Sequence, residues 1–165
     1  MKRILVYAVG TLLLSIGIAK AANPPELKEG LWSIHTQSID NPGNKKTEST
    51  STICRSHAYD EYVHSLAKST KKGCTMVSES LEGGKYSVEM NCEKTGTVVH
   101  TKGTTTYQGD TAAHGETHAT YTPALAGISE TVMIMDTKYV GGCPAGIQPG
   151  DMTSSDGRVN HLWKH

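Results

Sequence analysis

The sequence lacks phenylalanine, and it contains few large apolar residues beyond position 21. Leucine, isoleucine and valine together account for only 20 of the last 144 residues. Such a chain can build only a small hydrophobic core, so cross-links are expected to supply part of its stability. Low net charge and four cysteines argue against a disordered chain.

An excess of charge of either sign is also lacking. The chain has 16 basic and 16 acidic residues, and the part after position 21 carries a net charge of −3. Nucleic-acid binders usually show a basic stripe. We therefore predict no nucleic-acid partner.

Motifs that identify common catalytic and cofactor sites are missing as well. The sequence contains no Gly-x-Ser-x-Gly, no phosphate loop, no dinucleotide fingerprint and no Cys-x-x-Cys. Its serines, histidines and carboxylates show no spacing that singles out a nucleophile and its base. We therefore predict a protein that is not an enzyme and that needs no cofactor.

The one long apolar run lies at the N-terminus, from Ile4 to Ile18, between a basic start and Ala19-Lys20-Ala21. This pattern predicts a signal peptide over residues 1–21, cleaved after Ala21. The alternative is a membrane anchor, for which about 15 apolar residues are too few. No later segment is apolar enough to span a membrane, so we predict an exported protein with no membrane span after cleavage.

Export to an oxidising compartment predicts that the four cysteines form two disulfides. Residues 74–92 are typical of two strands joined by a three-residue turn, Glu82-Gly83-Gly84. Cys74 then pairs with Cys92, which leaves Cys54 to pair with Cys143. The same register places three further pairs on one face of this hairpin: Met76 with Met90, Ser78 with Val88, and Ser80 with Tyr86.

Short alternating segments separated by turn signals predict a mainly β protein. A helix is predicted over residues 57–69, capped by Ser56, with an inward stripe of Tyr59, Tyr62, Val63 and Leu66. Strands are predicted over residues 30–39, 45–54, 95–108, 111–122 and 129–140, besides the hairpin above. The predicted fold is an antiparallel meander curled into a barrel or half-barrel, with one short helix and two disulfides. The domains are a signal peptide (1–21), a β domain (22–143) and a tail (144–165), whose residues 159–164 dock as a last strand.

The hairpin of residues 95–122 is predicted to turn at Gly109-Asp110. That register places Thr101 opposite His118 and Val98 opposite Tyr121, and it puts His100 and His118 on opposite faces. Neither face is strongly apolar, which is typical of an edge or of a wet groove. Residues 123–127 are predicted to form a loop.

The order of several short motifs resembles one bacterial family. A Pro25-x4-Gly30-Leu31-Trp32 opening comes first, Cys54 precedes the helix, and a late segment over residues 133–144 leads into Gln148-Pro149-Gly150-Asp151. Together they resemble DUF3617, an exported family of unknown function, over roughly residues 25–151. The resemblance implies a periplasmic location in a Gram-negative bacterium and a small disulfide-bonded β domain, and it carries over no catalytic residue.

Two groups of side chains are candidates for a metal site. His57, Asp60, Glu61 and His64 share one face of the predicted helix at spacings that suit zinc or copper, although a face opposite the apolar stripe is expected to be solvated. Methionines 76, 90, 133 and 135 could suit copper(I), although they could equally fill a core without phenylalanine. His114 and His118 lie about 13 Å apart along one strand, too far to share an ion.

A curled antiparallel sheet can hold a small or amphipathic ligand in its mouth. Trp32, Tyr107, Tyr121 and Tyr139 are the candidate lining residues, although Trp32 is expected to pack in the core. Our leading hypothesis is thus a periplasmic, non-catalytic binding module. One alternative is an interaction module for another envelope protein, which would show an apolar surface patch or an unpaired edge and no cavity. The other is a copper- or zinc-handling protein, in which His or Met side chains would converge within bonding distance.

Overall fold

A computed structural model describes residues 24–69 and 73–163, so the predicted signal peptide lies outside the described residues. They form nine β-strands and one α-helix, α1 (His57–Ser69). The strands are β1 (Gly30–Asn41), β2 (Lys45–Arg55), β3 (Cys74–Glu82), β4 (Lys85–Lys94), β5 (Thr97–Gln108), β6 (Ala112–Leu125), β7 (Ile128–Gly141), β8 (Asp151–Ser154) and β9 (Val159–His161).

All nine strands belong to one antiparallel sheet in the order β3-β4-β5-β6-β7-β1-β2-β8-β9. The prediction of a mainly β meander with one helix is confirmed. The sheet is open, since β3 and β9 end it without pairing to each other in the described part of the chain, so the closed-barrel alternative is wrong. The predicted loop over residues 123–127 is also wrong, because β6 continues to Leu125 and turns at Ala126-Gly127.

The β3–β4 hairpin differs from prediction in its turn. Glu82 pairs with Lys85, so the connection is the two-residue Gly83-Gly84, both at positive φ, as two-residue hairpin turns favour. A bulge at Val77 restores the predicted pairing of Cys74 with Cys92. Between the bulge and the turn, the β3 side chains lie on the face opposite to the predicted one. Glu79 therefore lies opposite Val88, and Leu81 lies opposite Tyr86. The predicted pairs Ser78–Val88 and Ser80–Tyr86 are therefore wrong.

The β5–β6 hairpin is shifted by one residue relative to prediction. Gln108 pairs with Ala112, so three residues form the loop, and Thr101 lies opposite Ala119 rather than His118. Val98 correspondingly faces Thr122 rather than Tyr121. Because side chains alternate along a strand, this shift puts His100 on the same face as His118. Both strands lie inside the sheet, so of the two alternatives for this hairpin the edge position is wrong.

One face of the sheet, here called the inner face, carries the small core. Trp32, fully buried, is flanked across the sheet by Ile53 and Tyr139, and the Trp32 and Tyr139 rings meet edge to face at 6.1 Å. Leu27 and Tyr59 close the cluster from outside the sheet. The core therefore sits at the end of the inner face where the lead-in (residues 24–29) and α1 meet.

Helix α1 begins as predicted, because the Ser56 hydroxyl accepts a hydrogen bond from the backbone N–H of Tyr59 at 3.2 Å. The prediction that four of its residues face the core is confirmed for two of them. Tyr59 is buried and Tyr62 is half-buried, whereas Val63 and Leu66 are 40% and 43% exposed. Helix α1 therefore covers the core through its first turns. No helix in the described ranges has the length and apolar character needed to cross a bilayer.

Both predicted disulfides are present, and all four cysteines are paired. Cys74–Cys92 joins neighbouring strands across a separation of 18 residues. Cys54–Cys143 joins the end of β2 to the segment after β7 across 89 residues. The second disulfide therefore closes much the longer loop.

The segment after Cys143 returns to the sheet. Strand β8 pairs with β2, β9 pairs with β8, and the backbone N–H of Gly150 donates to the carbonyl of Cys54 at 2.8 Å. Trp163 stacks on Tyr62 at 5.9 Å between ring centroids. These contacts hold the C-terminal segment against the second turn of α1.

Gly150 is expected to be essential for the packing of Trp163 against α1. It has φ +88°, and a Cβ added there would lie 2.6 Å from Cβ of Trp163. Gly150→Ala should combine a left-handed backbone penalty of about 1–2 kcal/mol with a steric clash that displaces Trp163. Gly157→Ala is the matched control, because Gly157 has φ +82° with open space around it. Urea unfolding monitored by tryptophan fluorescence would measure the loss of unfolding free energy in each variant. An equal loss in Gly150→Ala and Gly157→Ala would contradict the steric role of Gly150.

Candidate functional site

The outer face of the sheet, opposite the core, carries four histidines that each contact a carboxylate. His114 lies between Asp136 (2.7 Å) and Glu116 (3.2 Å), and His118 contacts Glu130. The other two contacts are His100–Glu89 at 2.7 Å and His35–Glu48 at 3.1 Å. Two of the contacts lie on the β6–β7 pair, one lies on β4–β5 and one on β1–β2, and in the described ranges no three metal-ligating side chains converge among them. We therefore regard them as contributions to stability rather than as one site.

These contacts predict a pH-dependent stability. Hydrogen bonds to Asp136 and Glu116 raise the pKa of His114 above its ordinary value. A raised pKa in the folded state stabilises the protein below the unfolded pKa of about 6.5, and this contribution is lost as the pH rises through the folded pKa. His114→Gln should therefore be less stable than the wild type near pH 5 and close to it near pH 9. Chemical denaturation at both pH values would test this, and a gap that does not narrow with rising pH would contradict it.

The methionines of the copper(I) hypothesis are not brought together. Met133 and Met135 lie on the inner face of β7, whereas Met90 pairs with Met76 on β4 and β3. Strands β5 and β6 separate the two groups, so about 14 Å of sheet lies between them. Thioethers this far apart cannot share one ion.

The four candidate aromatic residues divide into two groups. Trp32, Tyr139 and Tyr107 belong to or pack against the core cluster. Tyr121 lies eight residues along β6 from Ala113, the partner of Tyr107, and its hydroxyl donates to Thr131 at 3.4 Å. One ligand pocket lined by all four is therefore not formed, and Trp32 lies fully buried, as expected for a core residue.

A cavity forms where the lead-in crosses the start of α1. The lead-in is held by the indole N–H of Trp32, which donates to the carbonyl of Lys28 at 2.8 Å, and by burial of Leu27. The carboxylate of Glu29 accepts a hydrogen bond at 2.8 Å from the backbone N–H of His57, one of the free donors at the helix N-terminus. The lead-in and α1 thus form two walls of one site.

His57 joins these two walls through its ring. Nε2 lies 3.1 Å from the carbonyl oxygen of Leu27, and Nδ1 lies 3.0 Å from Oε1 of Glu26. Both partners are acceptors, and a neutral imidazole donates to only one of them. Binding of a metal through His57 would therefore displace one of these two contacts.

Arg55 and Asp60 form the floor of the cavity. The guanidinium donates to Oδ1 of Asp60 through Nε at 3.0 Å and Nη2 at 2.9 Å, and it lies 5.2 Å from the ring centroid of Trp32. Burial raises the pKa of Asp60, and Arg55 opposes that shift. The pair is largely desolvated, since the Asp60 side chain is only 16% exposed.

The cavity has a volume of about 240 Å³. Its polar wall residues are Glu26, Arg55, His57, Asp60, Glu61, His64 and Tyr107, with Pro24, Pro25 and Leu27 as apolar walls. Burial raises the pKa of Tyr107. Within the described ranges the Tyr107 hydroxyl has no hydrogen-bond partner, which leaves a polar group at the cavity for a ligand.

The four helix residues singled out from the sequence, His57, Asp60, Glu61 and His64, therefore all line one cavity. The lead-in contacts this face at His57, whereas Glu61 and His64 are exposed, as expected of a solvated face. In the described part of the chain, however, no three metal-ligating side chains are grouped to hold an ion. Sequence reasoning missed Arg55 and Glu26, whose only signals were their positions beside Cys54 and Pro25.

The open edges of the sheet offer little to a partner strand. Strand β3 carries the Val77 bulge and the carboxylates of Glu79 and Glu82, and β9 has only three residues. Bulges, charges and short length are the features that protect sheet edges from pairing. The site that the structure offers most clearly is the cavity.

Comparison with known proteins agrees with the motif order noted in the sequence. None of the curated proteins matches the chain at a significant level. The model of the family described as "Protein of unknown function (DUF3617)" matches residues 27–143, from the buried Leu27 of the lead-in to the second cysteine of the long-range disulfide. This match covers more than half of the chain, and the protein therefore belongs to the DUF3617 family.

Proposed function

We propose that this protein is exported to the periplasm of a Gram-negative bacterium and acts there as a non-catalytic binding module for a small or amphipathic ligand. The observation that carries the proposal is the cavity between the lead-in and α1. Two disulfides support an oxidising compartment, and the signal-like N-terminus supports export.

The cavity has the properties expected of a ligand site. Its walls come from four separate parts of the chain: the lead-in, the end of β2, the first two turns of α1 and the end of β5. They combine apolar surface with a few polar groups, as small-molecule sites usually do. Hydrogen bonds from His57 and Trp32 hold the lead-in in place, so the site is formed before a ligand arrives.

Closing the cavity should abolish binding. In His64→Trp, an indole replaces a side chain that lines the cavity, whereas Val63→Trp places the same indole on an exposed neighbouring position. Native mass spectrometry of protein exported to a bacterial periplasm should show a ligand-sized adduct on the wild type and on Val63→Trp, but not on His64→Trp. A bare wild type, or an adduct that His64→Trp retains, would contradict the proposal.

Periplasmic metal handling is the second candidate, because His57, His64 and three carboxylates line the same cavity. Zinc or copper would appear in the same spectra as an adduct of the metal's mass. If the wild type carries an adduct of the metal's mass and His64→Trp does not, metal handling is favoured over binding of a small organic ligand.

A further inference from the structure

We infer that the ligand of this cavity is a small organic cation, an aliphatic amine whose ammonium group is bound by carboxylates. The inference rests on the proposed function, since it names the ligand class of the same site. It is carried by the uneven charge of the cavity walls, by their aromatic surface and by the spacing of the carboxylates.

The charge of the walls favours a cation. Arg55 is the only permanently charged cation among the lining residues, and its guanidinium is already bound to Asp60. Of the other two carboxylates, Glu26 contacts Nδ1 of His57, and Glu61 has no ion pair within the described ranges. A concave site with an excess of one charge concentrates ligands of the opposite charge.

A second, shallower hollow adjoins the cavity along the lead-in, and its walls are also negatively charged. It shares Glu26, Leu27 and His57 with the cavity and adds Glu29, Asp110 and Lys28. The Lys28 ammonium lies 4.5 Å from the centroid of the Tyr139 ring, directed at that aromatic face. With three carboxylates against one ammonium group, the hollow extends the negative potential along the lead-in.

The remaining walls suit an amine with a hydrocarbon body. Pro24, Pro25 and Leu27 offer apolar contacts, and the Tyr107 ring offers an aromatic surface of the kind that attracts cations. The unpartnered Tyr107 hydroxyl can accept a hydrogen bond from an ammonium group. For an anion the cavity offers a single permanent cation, the Arg55 guanidinium, which Asp60 already holds.

The spacing of the carboxylates favours an organic cation over a metal ion. A bound divalent metal needs several ligands converging within bonding distance. In the part of the chain that the structure describes, no three candidate ligands converge in this way. Carboxylates placed on different walls of a cavity instead suit a cation that extends across it.

Three four-carbon compounds test the inference because they differ mainly in charge: 1,4-diaminobutane, 1,4-butanediol and succinate. Titration calorimetry on the whole chain should show binding of the diamine only. Glu61→Gln should weaken this binding about tenfold, as expected for one lost charge-assisted hydrogen bond. Glu116→Gln removes the same charge from the outer face of the sheet and should leave the affinity unchanged.

The other outcomes separate this inference from the proposed function. If butanediol or succinate binds and His64→Trp abolishes it, the cavity binds ligands but the inference of a cation is overturned. If Zn²⁺ binds and the diamine does not, the inference is overturned in favour of metal handling. If none of these probes binds at millimolar concentration and the protein from the periplasm carries no adduct, both the inference and the proposed function are overturned.

Discussion

Replacing Trp32 by alanine is expected to lower the free energy of unfolding by about 3–5 kcal/mol, as for other buried aromatic residues. Trp32 has no exposed surface, and it contacts the Tyr139 ring while its indole N–H holds the carbonyl of Lys28. The core has few other large side chains, so the cavity left by the indole has little to fill it. This loss would be a large share of the stability of a small domain.

Denaturant unfolding of Trp32→Ala and of Trp32→Phe would test this prediction. Phenylalanine keeps most of the apolar volume and loses the hydrogen bond to Lys28, so its cost should be nearer 1–2 kcal/mol. Circular dichroism is the suitable signal, because the substitution removes a fluorophore. A loss below about 1 kcal/mol in Trp32→Ala would contradict the central role of this side chain.

Removing the Cys54–Cys143 disulfide should cost more than removing Cys74–Cys92. In the chain-entropy model the gain from a cross-link grows with the loop that it closes, here 89 against 18 residues of separation. The expected losses are about 4–5 kcal/mol for the long loop and about 3 kcal/mol for the short one. The long-range disulfide also lies beside the contact between Cys54 and Gly150 that positions the C-terminal segment.

The double variants Cys54→Ala/Cys143→Ala and Cys74→Ala/Cys92→Ala form a matched pair, since each removes one disulfide and leaves no free thiol. Thermal and urea unfolding of both should rank them in that order. Equal losses, or a larger loss for the Cys74–Cys92 variant, would contradict the loop-length argument.

Local patterns were sufficient to predict most of the secondary structure. The alternation around Trp32, the Ser56 cap and the apolar spacing of Tyr59 and Tyr62 are properties of neighbouring residues, and the strands and the helix were found where these patterns place them. The cysteine pairing followed from the predicted hairpin, whose register places Cys74 opposite Cys92.

Strand register could not be predicted from the same patterns. Consecutive glycines fit either a two- or a three-residue turn, and Gly109 fits more than one loop length. A one-residue difference exchanges the two faces of a strand. The bulge at Val77 and the position of His118 were therefore decided by packing against neighbouring strands.

At the candidate site, too, local patterns predicted one part of the arrangement and the folded structure decided the rest. The spacing of His57, Asp60, Glu61 and His64 placed them on one helix face, but nothing local indicated that residues 24–29 cross that face and form a cavity with Arg55 and Tyr107. These residues come from distant parts of the chain, and their contact depends on where α1 meets the core.

The sequence by itself determined the local elements of this protein, both disulfides and the polar character of the helix face, because each depends on residues close in the chain or on a small number of pairings. The tertiary structure alone decided that β7 lies beside β1, that β8 pairs with β2, and that the lead-in contacts the start of α1. Those arrangements bring together residues far apart in sequence, and burial of Trp32, Leu27 and Tyr59 in one cluster stabilises them only when the whole chain is folded.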